Sequence, residues 1–290
     1  MQWSKIGFVA SLGFAGQNPG DVAKSLSDTG YTGVEWTIGH FNPRAKSLPE
    51  LRDMVRIVEE YGITSTNILT EQDFITLNKD LHNDRIKMVQ ECIRASAECG
   101  IKMINLFTGP TPWDPSAPMV GRDISEGDAW DLLYNAMDKI IPVAEEHNVH
   151  LTIEAVFGML CRDYYTTKVL FNHYDSEYLC INMDPSHYRL YRNDPSWAAR
   201  EWGSKIKHVH LKDVIGLPGP IGDSFIFPLL GEGLVDWKMF LRTLTEIGYD
   251  GYLSVEFESF KYYTDILGGD PVRAAQLSMD NLKTLMEGVD

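Results

Sequence analysis

The sequence predicts a (β/α)8 TIM barrel that forms a single domain over residues 1–290. Short apolar runs rich in β-branched residues alternate along the chain with longer segments of helical periodicity, a pattern typical of parallel α/β folds. The length of 290 residues suits one barrel domain. Side chains that bind metals recur at the ends of the later apolar runs, where barrel enzymes carry their active sites.

Eight apolar runs are the predicted strands of the barrel. In chain order they cover residues 4–10, 33–37, 63–69, 102–108, 150–156, 178–184, 205–212 and 251–257. A doubly wound open sheet is the alternative arrangement. It is disfavoured because the segment after the first strand, GFVASLGFAG, lacks the GxGxxG spacing of a dinucleotide-binding turn. No linker and no change of composition indicates a second domain.

Segments with apolar residues at helical spacing lie between these runs. The first carries its apolar side chains on one face and ends at Gly62, a suitable helix stop. Pro142 is expected to bend the third, Asp236 to cap the fourth, and Pro271 occupies a favourable first-turn position in the last. The predicted helices cover residues 49–62, 84–100, 125–147, 236–248 and 271–286.

Composition limits the partners and the compartment. Acidic residues outnumber basic residues by 41 to 26, and the formal net charge of −15 repels nucleic acid and anionic membranes, so we expect neither as a partner. No apolar stretch approaches the ~20 residues of a membrane span. The segment IGFVASLGFA faintly resembles a signal-peptide core, but its removal would leave the repeat one strand short. The cysteines form no CxxC pair, which indicates a reduced, cytoplasmic protein; they are Cys92, Cys99, Cys161 and Cys180.

The last four predicted strands each end in a residue that commonly binds metals. Because side chains alternate along a strand, apolar residues take the helix-facing side and leave polar residues pointing into the barrel. Three carboxylates gathered at one barrel mouth would repel each other, and a divalent cation removes that repulsion. The predicted ligands are Glu154, Asp184, His210 and Glu256.

Three oxygen donors and one imidazole suit Mn²⁺ best, with Mg²⁺, Co²⁺ or Zn²⁺ as alternatives. Within the segment HVHLKD, His210 lies nearer the strand end and is the predicted ligand. His208 lies two residues earlier on the same face of the strand and therefore deeper in the barrel, so we expect it to support the site through hydrogen bonds.

In order and register, several motifs match one family. The chain resembles the xylose-isomerase-like barrels known as sugar phosphate isomerases/epimerases, which include ketose 3-epimerases, inosose dehydratases and hydroxypyruvate isomerases. The resemblance covers essentially the whole chain. It rests on IEAVF at 153–157, NMDPSH at 182–187, HVHLKD at 208–213, PLLGEGLVDW at 228–237 and SVEFE at 254–258.

The resemblance implies a Mn²⁺-type site on the four predicted ligands and a keto-sugar or related polyol as substrate. It also implies that Glu154 and Glu256 act as catalytic bases on opposite faces of the reacting carbon, while the metal stabilises the enediolate oxygen. His187 matches the family histidine that contacts a substrate oxygen; a surface-loop histidine is the alternative.

The sequence departs from the ketose epimerases in two ways, and these departures leave a lyase as the alternative function. The stretch LKDVIGLPG after the seventh predicted strand has no arginine, and no extra acidic residue follows closely behind Glu154. The alternative function is therefore an inosose-type dehydratase, or a deglycosidase catalytic subunit that eliminates from a 3-oxo-sugar and works with a small partner subunit. We also expect a homo-oligomer.

Further residues are candidates for substrate contact. Lys212 and Asp213 either bind substrate hydroxyls or form a salt-bridged strand end. The long connection 213–235 over the barrel mouth is typical of a lid or a partner surface. Aromatic residues near other strand ends either stack on the substrate or pack in the core: Trp36, Phe107, Trp113 and Phe157.

Two other classes of protein fit the sequence less well. Metal-dependent AP endonucleases are related barrels, but they use more histidines and a basic groove, which a net charge of −15 opposes. A non-catalytic sugar-binding barrel does not need three carboxylates gathered at one metal.

Overall fold

The computed structural model describes residues 3–287 and residue 289. Its strands are β1 (Ile6–Val9), β2 (Gly33–Thr37), β3 (Thr64–Leu69), β4 (Met103–Leu106), β5 (His150–Glu154), β6 (Leu179–Met183), β7 (Ile206–Leu211), β8 (Ile215–Gly216), β9 (Phe225–Ile226) and β10 (Leu253–Val255). Strands β1 to β7 and β10 form a closed parallel barrel in which β1 pairs with β10. The predicted (β/α)8 barrel is confirmed, and each predicted strand run contains one of its strands.

The helices cover the outside of the barrel. They are α1 (Pro19–Thr29), α2 (Leu48–Glu59), α3 (Lys79–Glu98), α4 (Glu126–His147), α5 (Tyr164–His173), α6 (Pro185–Leu190), α7 (Pro195–Trp202), α8 (Trp237–Glu246), α9 (Phe260–Asp265) and α10 (Pro271–Glu287). The five predicted helices correspond to α2, α3, α4, α8 and α10. The predicted cap of α8 is confirmed, since Asp236 Oδ1 accepts a hydrogen bond from the Met239 amide at 3.0 Å.

The other five helices fall in segments for which the sequence predicted no helix. They have 6 to 11 residues, and helices this short depend on capping and packing. In α6, for example, the side chain of Asp184 accepts a hydrogen bond from the Ser186 amide at 2.8 Å. The same aspartate thus ends β6 and caps the short helix that carries His187.

The two faces of the barrel strands have opposite chemistry. Outward-facing side chains such as Ile153, Ile181 and Val209 are buried against the helices, so the apolar core is a shell around the barrel. Beneath the mouth, the interior is polar. Its fully buried side chains include Glu35, Asn67, Asn105, Thr152, Asn182, His208 and Ser254. Since buried polar groups are costly, this layer indicates that the barrel interior supports a site.

The connection 213–235 folds over the mouth, as its length predicted. Strands β8 and β9 pair antiparallel within it and form a small hairpin. None of the helices in the described part of the chain combines the length and hydropathy that a bilayer-spanning helix requires.

Candidate active site

The four predicted metal ligands converge at the carboxyl ends of the strands. One ligand atom from each of Glu154, Asp184, His210 and Glu256 lies within 4.8 Å of the others. His210 Nδ1 lies 3.3 Å from Glu154 Oε1 and 3.3 Å from Glu256 Oε2. All four residues are buried.

Glu35 on β2 fixes the orientation of the imidazole. Its Oε2 lies 2.9 Å from His210 Nε2 and 2.8 Å from His208 Nε2. Burial acts to raise the pKa of Glu35, but His210 and His208 outweigh burial and hold that pKa at about 2. The carboxylate therefore keeps a proton on Nε2 of His210 and turns Nδ1 toward the carboxylates, which is how outer groups commonly orient a metal-binding histidine.

Two asparagine amides hold Glu154 in the same way. Asn105 Nδ2 and Asn182 Nδ2 donate to Glu154 Oε2 at 2.8 and 3.2 Å. Its other oxygen, Oε1, is left facing His210. Burial is the main cause that raises the pKa of Glu154.

Lys212 supplies the positive charge nearest to the cluster. Its Nζ lies 2.5 Å from Glu256 Oε2, 3.0 Å from Glu258 Oε2 and 3.1 Å from Asp184 Oδ2. Burial opposes its charge, but Asp184 and the two glutamates raise the pKa of Lys212 well above its ordinary value. In turn the ammonium lowers the pKa of Glu256 against the effect of burial.

The donor set fits a divalent cation. Four carboxyl groups lie around the single ammonium of Lys212, so negative charge is in excess. They belong to Glu154, Asp184, Glu256 and Glu258. His210 Nδ1 is buried without a hydrogen-bond partner among the described residues. Oxygen donors with one imidazole suit Mn²⁺, Mg²⁺, Co²⁺ or Zn²⁺.

A cavity of about 250 Å³ opens above the cluster. Glu154, His187, Lys212 and Glu256 line its floor. His187 Nδ1 is buried without a hydrogen-bond partner among the described residues, and its Nε2 lies 3.4 Å from Asp184 Oδ2. Burial lowers the pKa of His187 to about 4, so its imidazole is neutral near pH 7 and is able to hydrogen-bond a ligand.

The structure separates the predicted aromatic contacts into two groups. Phe107, Trp113 and Phe157 line the cavity, with Trp113 and Phe157 at a ring-centroid distance of 5.7 Å. The prediction for Trp36 as a substrate contact is wrong. Its side chain is fully buried on the outward face of β2, where Nε1 donates to Ser65 Oγ at 2.9 Å. Since Glu35 faces inward, the next residue of the strand must face outward.

Asp213 also needs correction as a predicted substrate contact. It is fully buried, and its two oxygens accept from five donors of the following loop. Four are backbone amides and the fifth is an indole nitrogen: Val214 N at 2.9 Å, Gly231 N at 3.1 Å, Gly233 N at 3.0 Å, Val235 N at 3.1 Å and Trp237 Nε1 at 2.8 Å. The carboxylate has no capacity left for a substrate hydroxyl and instead fixes the return of the loop to the barrel.

Residues that the sequence analysis missed complete the site. The signal for Glu35 was present, since it is a charged residue inside the apolar run GVEWT and shares no face with Val34 and Trp36. Glu71 and Phe227 line the cavity from loops. Glu71 has φ 53°, an uncommon backbone conformation for a residue other than glycine, which no sequence pattern signals.

The fold and the site define the class of (β/α)8 barrels whose active centre is a carboxylate–histidine cluster at the strand ends. The chain belongs to the xylose isomerase-like TIM barrel family, whose model matches residues 23–285.

Curated relatives include enzymes. The chain is 27% identical over 167 residues to inosose dehydratase of Clostridium tetani, an alignment that covers 54% of this chain and 53% of the relative. It therefore spans about half the length of that relative. An uncharacterized protein of Methanocaldococcus jannaschii, MJ1311, is 24% identical over 254 residues, with 84% and 76% covered.

Solved structures share the whole fold. A D-psicose 3-epimerase in the presence of D-fructose superposes with a TM-score of 0.77 at 16% identity, covering 98% of this chain and 99% of the other. The IOLI protein with a bound zinc atom superposes with a TM-score of 0.75 at 17% identity, covering 99% of each chain. The 3-keto-D-glucoside 4-epimerase YcjR of E. coli superposes with a TM-score of 0.73 at 18% identity, covering 98% of this chain and 99% of the other.

Proposed function

We propose that the protein is a metal-dependent enzyme that abstracts a proton α to the carbonyl of a keto-sugar or related polyol and epimerises or isomerises its substrate. The observation that carries the proposal is the position of Glu154 and Glu256. Both have an oxygen 3.3 Å from the same atom, His210 Nδ1, although they come from strands that are not neighbours in the barrel. Two carboxylates that flank one point are suited to remove a proton from one face of a carbon and return it to the other.

Glu154, Asp184, His210 and Glu256 would hold the metal, with Mn²⁺ as the best fit. A bound divalent cation would supply positive charge where the substrate carbonyl becomes an oxyanion. His187, which is neutral near pH 7, hydrogen-bonds a substrate oxygen through its free Nδ1. Lys212 keeps Glu256 charged, and the aromatic side chains of Phe157 and Phe227 restrict water at the reacting carbon.

The second candidate is a lyase that eliminates a β-substituent after the same proton abstraction. It is supported by the inosose dehydratases among the relatives and by the absence of arginine from residues 211–219. The ligand set does not distinguish the two outcomes, because both begin with loss of the α proton.

We infer further that the protein works in a reducing, cytoplasmic setting as a homo-oligomer, with a small partner subunit if it is the deglycosidase lyase. All four cysteines have free thiols, and those of Cys92, Cys161 and Cys180 are buried. Burial raises the pKa of the Cys161 thiol to about 12, which keeps it unreactive near neutral pH.

Deuterium exchange tests the proposal directly. The protein is incubated with MnCl2 in D₂O with free ketoses, inosose and a methyl 3-oxo-glucoside, and NMR follows deuterium at the α carbon. Exchange with recovery of an epimer or isomer supports the isomerase. Exchange followed by an alkene or a released alcohol makes the enzyme a lyase. Absence of exchange on the whole panel, with Mn²⁺ bound, contradicts proton abstraction from these substrates.

A further inference from the structure

We infer that the active-site cavity continues into an apolar subsite that takes a neutral hydrophobic group carried by the substrate. A second cavity of about 270 Å³ lies beside the one above the carboxylates. The two cavities share four lining residues, which are Ile221, Phe227, Glu258 and Phe260. The second space therefore adjoins the site at these four side chains. The inference rests on the proposed function, because that function places the reacting end of the substrate in the first cavity.

The walls of the second cavity are mainly apolar. The 213–235 connection contributes one wall, and the segment after β10 contributes the other. Several of these side chains are exposed, with Ile226 at 46% and Phe260 at 42%. Exposed apolar side chains that line a concave space gain stability when an apolar group covers them. The apolar lining residues are Ile221, Ile226, Phe227, Pro228, Leu229, Phe260 and Tyr262.

Phe227 lies at the junction of the two cavities. Its ring centroid is 4.7 Å from Lys212 Nζ and 5.7 Å from the His187 ring. A ligand whose carbonyl end contacts His187 therefore passes this aromatic ring before it reaches Ile226 and Tyr262. Such a substrate has a hydroxylated head in the polar cavity and an apolar substituent beyond Phe227.

The charges of the second cavity do not favour an anionic substituent. Its charged lining residues are Glu232, Glu258 and Lys261. Glu258 is paired with Lys212 at 3.0 Å, so Glu232 remains to balance Lys261, and the cavity has no excess positive charge that would favour a phosphate or a carboxylate. The occupant is therefore a neutral apolar group, such as the aryl aglycone of a keto-glycoside.

A matched pair of ligands and a matched pair of variants test the subsite. The ligands are methyl and phenyl 3-oxo-β-D-glucopyranoside, titrated by calorimetry into the intact protein with MnCl2. The variants are Ile226→Asn in the cavity wall and Leu217→Asn in the same 213–235 connection, where Leu217 is 53% exposed and does not line the cavity. We expect the phenyl ligand to bind about tenfold more tightly than the methyl ligand to the wild type and to Leu217→Asn. In Ile226→Asn the preference falls to about twofold or less, with methyl binding unchanged.

Each contrary result has a distinct meaning. Equal binding of the two ligands, with deuterium exchange on both, overturns the subsite and leaves the proposed function. A phenyl preference without exchange on these ligands or on any member of the ketose and inosose panel supports the subsite and overturns the proposed function. Failure of both ligands to bind overturns the subsite, and the proposed function is then decided by deuterium exchange with the free ketoses and inosose. Light scattering checks the remaining possibility: if Ile226→Asn changes the mass of the protein in solution, the apolar face is an interface between copies and the subsite is wrong.

Discussion

The carboxylate cluster at the barrel mouth and the carboxylate of Asp213 are both buried, and Lys212 and Asp213 are adjacent in sequence, yet the two regions compensate their charges differently. In the cluster, four carboxylates share the ammonium of Lys212 and one imidazole. At Asp213, one carboxylate accepts from five N–H donors. The cluster retains excess negative charge, while every lone pair of the Asp213 carboxylate is used by a hydrogen-bond donor of the loop.

The difference separates a binding site from a structural support. A buried carboxylate whose lone pairs are all used by amides stabilises a loop and has nothing to offer a ligand. A group of carboxylates that exceeds its cations is destabilising unless a further cation binds. We therefore expect loss of charge in the cluster to abolish chemistry, and loss of charge at Asp213 to unfold the loop.

The largest effect is expected for Glu256→Gln. The amide keeps the size of the side chain but cannot accept the α proton, so we expect the exchange rate to fall by about 10³-fold at saturating Mn²⁺. Deuterium exchange by NMR measures this rate on the substrate identified from the panel. The control is Glu59→Gln, an exposed residue of α2, which should exchange like the wild type. Exchange by Glu256→Gln within tenfold of wild type would remove this glutamate from the chemistry.

The next prediction compares the stabilities of Asp213→Asn and Glu154→Gln. An amide at position 213 turns one acceptor into a donor that faces other donors, so we expect the free energy of unfolding to fall by about 3 kcal/mol. In metal-free protein, Glu154→Gln relieves repulsion in the cluster, and we expect no loss of stability. Urea denaturation after chelation of metals measures both. If the two variants lose the same stability, the contrast between the two regions is wrong.

Glu35→Gln should weaken the proposed metal site without changing the residues proposed as its ligands. Loss of the charge that holds Nε2 of both histidines leaves His210 less basic and less firmly oriented, and we expect Mn²⁺ affinity to fall by about 10- to 100-fold. Calorimetric titration with MnCl2 measures the affinity. Glu35→Asp, which keeps the charge, should recover part of it. Wild-type affinity in Glu35→Gln would mean that the Glu35 contact only fills the barrel interior.

Sequence patterns predicted the barrel and the convergence of Glu154, Asp184, His210 and Glu256 because both follow from periodicity. Alternation along a strand decides that Glu154 and Glu256 face inward, and the barrel brings the strand ends together. The same rule places Trp36 and Glu35 on opposite faces of the second strand, with Glu35 inward and Trp36 outward. The role of Asp213 was not predictable, because its donors come from residues 214–237 and depend on how the loop returns. Loop residues such as Glu71 and Phe227 carry no periodic signal for the same reason.

The smallest expected effect distinguishes the two predicted tryptophan contacts. Trp113 lines the cavity and is 53% exposed, so Trp113→Ala should raise KM by about tenfold or less and leave the stability nearly unchanged. Trp36→Phe removes the hydrogen bond to Ser65 in the outer core, so it should cost about 1 kcal/mol of stability and leave KM unchanged. Steady-state kinetics on the identified substrate and thermal denaturation of both variants give the two quantities. A rise of KM in Trp36→Phe at unchanged stability would mean that the outer face of β2 communicates with the site, because Glu35 is its neighbour in the strand. The opposite result for Trp113, a loss of stability without a change in KM, would make that ring a support for Phe157, its neighbour in the cavity wall, and not a contact for the substrate.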